Sequence, residues 1–92
     1  MVSKAELARR RKTLEAEIKR LENAIRIDQG DVVVDTRMLT SGRTPHGPIT
    51  DSYRNELTSR RAVRLKRLKD NEPALARART KLASVKRQLE AL

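Results

Sequence analysis

Leu68, Leu75, Leu82 and Leu89 stand seven residues apart, and Ala78, Val85 and Leu92 follow the last three at a spacing of three. Alternating steps of three and four place these side chains along one seam of a helix, the pattern by which helices pack lengthwise on other helices. The seam predicts a C-terminal helix and, in so short a chain, an oligomer formed through it.

A second stripe occupies the N-terminal third: Leu7, Leu14, Ile18, Leu21 and Ile25, with Arg11 at the gap. Its start is well marked. Ser3 and Glu6 form an S-x-x-E capping box, and Val2 and Leu7 are spaced as a hydrophobic staple around it. Three coincident start signals imply that this helix needs nothing upstream. Glu6–Arg10, Glu15–Lys19 and Glu22–Arg26 add i,i+4 pairs in the favourable order. Gly30 suits the position just past a helix end, so the first helix is expected over 3–29.

Residues 30–50 read as a loop. They hold all three glycines and two of the three prolines. Val32-Val33-Val34 suits a short strand or an apolar plug, and residues 40–48 read as irregular. Thr50, Asp51 and Ser52 are all good N-caps for a helix over 51–70. Asp70-Asn71-Glu72-Pro73 then allows two outcomes, because proline removes a donor and disfavours helix at the preceding residue. Either one long helix kinks at Pro73, or a turn separates a third helix over 72–92. The expected fold is all-α: a single helical domain over 1–92, built as an antiparallel helical hairpin or coiled coil, or as a three-helix bundle if the second helix splits.

Composition narrows the picture. The chain has 92 residues, 37% hydrophobic and 37% charged, with Tyr53 its one aromatic. A core of that size contributes little net stability, which again favours a homo-oligomer. Absence of cysteine removes disulfide and thiolate chemistry and fits a reducing, cytoplasmic setting. No apolar run approaches the ~18 residues of a membrane span, and no signal peptide is visible. With no bulky aromatic anchor, membrane binding is not expected.

The net charge of +10 is unevenly spread. Residues 1–27 carry eight basic and four acidic side chains, 28–51 two and four, and 52–92 twelve and four. Two basic arms therefore flank a mildly acidic connector. The densest cations are Arg9, Arg10, Arg11 and Lys12 in the first arm, and Arg60, Arg61, Arg64 and Arg67 in the second. These are the candidate phosphate- or partner-binding residues, since neutralised phosphates release counterions. The same clusters also suit the solvated exterior of a coiled coil, or an acidic protein surface. Arg61, Arg64 and Arg79 fall at or near seam positions, where they either snorkel to solvent or meet an acidic partner helix.

Catalytic chemistry finds no footing. His46, the one histidine, sits in the loop between Pro45 and Gly47 with no nucleophile at a suggestive spacing. Asp28, Asp31 and Asp35 cluster near the expected end of the first helix, with Asp51 returning across the connector, but their spacing is not that of an EF-hand loop. An acidic connector on a basic hairpin resembles in outline the finger of Gre-type transcript cleavage factors, whose acidic tip holds a metal ion inside RNA polymerase; that family's acidic-tip motif is not evident here. One aromatic cannot build a base-stacking platform, and no zinc-finger or recognition-helix motif appears. No cofactor or metal is expected.

The sequence thus describes a small non-catalytic regulatory or accessory protein that binds a macromolecular partner through basic helical surfaces. Its size, charge and arginine bias suit a phage or mobile-element protein acting on a host protein. Two other expectations stand beside it: a nucleic-acid-binding protein using the basic arms without sequence preference, and a structural component of a larger assembly.

Overall fold

A computed structural model describes residues 2–92. Helix α1 runs over Lys4–Ser41 and helix α2 over Asp51–Glu90. Between them lies a two-stranded antiparallel ribbon, β1 (Arg43–Thr44) with β2 (Gly47–Pro48), in which Arg43 faces Pro48 and Thr44 faces Gly47. The all-helical hairpin expectation holds; no helix break separates 51–70 from 72–92.

Helix α1 begins at its expected cap. The Ser3 hydroxyl accepts the Glu6 amide at 3.1 Å, and the Ser3 carbonyl accepts the Leu7 amide at 3.0 Å. The end is elsewhere than expected. The helix passes through Gly30 and continues for eleven residues to Ser41, so 30–41 is helix and not loop, and Val32–Val34 is neither strand nor plug. An interior glycine costs about 1 kcal/mol relative to alanine, too little to stop a helix whose next turns carry strong contacts. Those contacts are made by Asp31 and Asp35, described below. The glycine that ends α1 is Gly42, whose φ of 68° is left-handed, with its amide donating to Met38 O at 2.9 Å.

The true loop is short. Thr44 Oγ1 accepts the His46 amide at 3.1 Å and donates to Gly47 O at 3.2 Å, which closes the turn around Pro45. Thr50 then caps α2: its hydroxyl accepts the Tyr53 amide at 3.1 Å and its carbonyl the Arg54 amide at 2.9 Å.

The chain divides into two compact units, and each helix contributes to both. Unit 1 comprises Met1–Ala24 with Asn71–Leu92; unit 2 comprises Ile25–Asp70. In unit 1 the buried apolar residues are Leu7, Leu21, Leu75, Ala78 and Val85. In unit 2 they are Ile25, Leu57 and Leu68, joined by two buried carboxylates, Asp28 and Asp35. No helix is long and apolar enough to cross a membrane.

Pro73 lies inside α2. Its ring removes one helical hydrogen bond and crowds the preceding turn, a cost of ~3 kcal/mol in a helix interior. Since α2 is continuous and Pro73 is exposed, Pro73→Ala is expected to stabilise the protein by up to ~3 kcal/mol, read as a higher urea midpoint. An unchanged midpoint would show that the proline sits at no cost, as it would in a first helical turn.

Candidate functional site

The α1 stripe of Leu7, Leu14 and Leu21 continues at the same seven-residue step, but as Asp28 and Asp35. Asp31 sits one helical turn from each. On α2, Arg60, Arg64 and Arg67 recur at steps of four and three. Within unit 2 these two rows meet as a ladder. Arg67 grips Asp28 with both arms of its fork, Nη2 at 2.7 Å and Nε at 3.0 Å. Arg64 lies 3.5 Å from Asp31 and donates through Nη1 to Asp35 Oδ2. Arg60 donates to the other Asp35 oxygen at 3.0 Å. Arg61 Nε donates to Thr36 Oγ1 at 2.9 Å.

In the fold each arginine of the second basic cluster, Arg60, Arg61, Arg64 and Arg67, is engaged by α1 of its own chain. Of the two seam arginines, Arg64 meets acids of α1 itself, Asp31 and Asp35, while Arg61 meets the Thr36 hydroxyl. Arg79 follows the same rule in unit 1, 3.4 Å from Glu22. Asp28, Asp31 and Asp35 are likewise arginine partners inside a helix, not a tip cluster, so the outline shared with a transcript-cleavage finger ends there.

Electrostatics in the ladder are tight. Asp35 is 2% exposed and Asp28 5%, and a buried carboxylate persists as an ion only when paired and hydrogen-bonded. Asp35 first, and the Tyr53 hydroxyl second, raise the Arg60 pKa above its ordinary value. Arg60 Nε is buried without a hydrogen-bond partner among the described residues. Nearby, Arg54 Nη1 reaches Leu39 O at 3.5 Å. It thereby places a cation at the C-terminal end of α1, whose last turn holds no basic residue of its own.

Four of the seven residues of the leucine seam assigned to self-association are buried within one chain. Leu68, Leu75, Ala78 and Val85 are all buried in a single copy, Leu82 and Leu89 are half-buried, and Leu92 is exposed.

The first basic cluster behaves differently. All of Arg9–Lys12 is exposed. Arg10 pairs with Glu6 at 3.1 Å and Arg11 with Glu15 at 2.7 Å, while Arg9 and Lys12 make no ion pair among the described residues. Arg9, Arg10 and Thr13 form one wall of a surface groove of about 640 Å³ in unit 1. Lys81, Ser84 and Gln88 of α2 form the other wall, and Leu14 and Val85 also line the groove. Arg9 and Arg10 were legible as candidates. Lys81, Ser84 and Gln88 were not, although their spacing of three and four puts them on one helix face. Unit 1 holds twelve basic and six acidic residues, unit 2 ten and six.

A second groove, about 620 Å³, lies at the turn end of unit 2, lined by Val34, Met38, Pro48, Ile49 and Tyr53 among others. His46 also borders it, exposed in the turn.

The chain matches no protein-family model, no curated protein and no solved structure.

Proposed function

We propose that this chain is a small non-catalytic accessory protein that binds a macromolecular partner through the basic helical surface of unit 1. One observation carries the reading. The arginines of the second cluster are held by aspartates and a threonine of the same chain, whereas Arg9, Lys12 and Lys81 are exposed and make no ion pair among the described residues. Among the described residues, cations outside the ion pairs given above are more numerous in unit 1 than in unit 2, and Arg9 and Lys81 of these line the unit 1 groove. Burial of Leu68, Leu75, Ala78 and Val85 within one chain supports the same direction, since a coiled-coil partner would need those seam positions open.

Heparin tests the reading as a generic polyanion. The chain should be retained at low salt, and Arg9→Gln/Lys81→Gln should elute at clearly lower salt. Lys66→Gln/Lys69→Gln removes equal charge from exposed positions in unit 2 and should shift elution much less. Equal shifts would mean that net charge alone is at work, and no retention would remove the reading altogether.

A second reading has one observation in its favour. The apolar groove around Val34, Met38 and Tyr53 supports docking of a protein at the turn end of unit 2, as an accessory protein bridging two partners would require.

A further inference from the structure

We infer that the unit 1 groove is a site for the sugar–phosphate backbone of a nucleic acid duplex, read without sequence preference. The inference rests on the proposed function and names its partner. The groove combines three cations, Arg9, Arg10 and Lys81, with three neutral polar side chains, Thr13, Ser84 and Gln88. Phosphate and sugar oxygens are contacted by this mixture: guanidinium, ammonium, hydroxyl and amide. Leu14 and Val85 give the groove an apolar component against which a sugar can rest.

The alternatives fit less well. Single-strand binding relies on aromatic platforms for the bases, and unit 1 contains no aromatic residue, Tyr53 lying in unit 2. An acidic protein helix would match the cations, but a stable helix-on-helix contact also needs an apolar stripe, and only Leu14 and Val85 of the unit 1 stripes reach the groove. Base recognition has no candidate side chain, so the contact is to the backbone.

The acid in the groove does not block this role. Glu6 already accepts from Arg10 at 3.1 Å, and both side chains are about half exposed. Such an i,i+4 surface pair is weak, so Arg10 can exchange Glu6 for a phosphate. The groove then offers about three phosphate contacts, and counterion release sets a slope near −3 in log affinity against log salt. That is shallower than the slope of −4 or steeper expected for about five contacts if Arg60 and Arg61 also reached phosphates.

The test is fluorescence anisotropy with a labelled 20-base-pair duplex of mixed sequence, against poly-L-glutamate as a protein-like polyanion. From 50 to 200 mM salt the duplex affinity should fall about 40-fold. Arg9→Gln/Lys81→Gln should bind more weakly at every salt and lose only about 3- to 4-fold over the same range, having one contact left. Lys66→Gln/Lys69→Gln should keep the steep dependence, and scrambled sequences should bind alike. Unchanged circular-dichroism melting would show that the variants remain folded. Retention on heparin without duplex binding at 50 mM salt would overturn the nucleic-acid inference and leave the proposed function standing. Poly-L-glutamate bound more tightly than the duplex would do the same and point to an acidic protein. Failure to bind any of the three polyanions would overturn both.

Discussion

Asp35→Ala is expected to destabilise the protein by about 3 kcal/mol, toward the lower end of the 3–5 kcal/mol seen when one partner of a buried pair is removed. The carboxylate is 2% exposed and accepts from both Arg60 and Arg64. Removing it does not affect those two arginines equally. Arg60 has a side chain 37% exposed and regains water, whereas Arg64 is 18% exposed and is left with Asp31 alone, at 3.5 Å. The residual contact to Asp31 keeps the loss from reaching the upper end. Asp31→Ala supplies the contrast: its side chain is 45% exposed, and pairs of that kind contribute at most about 1 kcal/mol. Urea unfolding of both variants checks the argument. Equal losses would show that burial of Asp35 has no energetic consequence.

Leu57→Ala is expected to cost 2–5 kcal/mol, the range for truncating a fully buried leucine. Leu57 is the only described residue with no exposed surface at all. Unit 2 has few apolar residues to rearrange into the void, since its other buried positions are Ile25, Leu68 and two carboxylates. A small domain has a total stability of 5–15 kcal/mol, so the variant should melt far below the parent. Val63→Ala removes a smaller apolar side chain that is 57% exposed and should change the midpoint little. Comparable midpoints for the two would contradict the assignment of Leu57 to the core.

Much of this architecture was legible in the sequence, and the failures have physical causes. Ser3 with Glu6 and the polar run at Thr50 located both helix starts, because a cap is a local interaction that needs no tertiary context. The leucines of α2 gave its period, and that period runs unbroken through Pro73. The end of α1 was misread because Gly30 and the Val32–Val34 run are local signals against helix, while the signals for it are long-range. Asp28 and Asp35 extend the Leu7, Leu14, Leu21 series at the same step; read as a seam rather than as loop acids, they would have carried α1 forward and paired the second basic cluster. Charge per segment conceals this pairing, because the acidic connector and the arginines that neutralise it lie in different segments. In the candidate site, Arg9 and Arg10 stood out as part of a dense run, but Lys81, Ser84 and Gln88 are scattered residues whose convergence depends on which faces of the two helices meet.

The aspartate–arginine rungs carry one more consequence. Asp28 with Arg67, Asp31 with Arg64 and Asp35 with Arg60 have residue numbers that each total 95, so all three belong to a single antiparallel alignment. Leucines repeating every seven residues do not define an alignment uniquely: sliding one helix by a heptad brings leucine opposite leucine again, with little change in apolar contact. The same slide keeps only one buried aspartate opposite an arginine, Asp35 at Arg67 or Asp28 at Arg60, and leaves the other facing Ala74 or Tyr53. The apolar repeat makes the helices adhere, and the charged rungs lift the degeneracy among the ways they can do so, much as the unequal marks of a vernier coincide at one setting only.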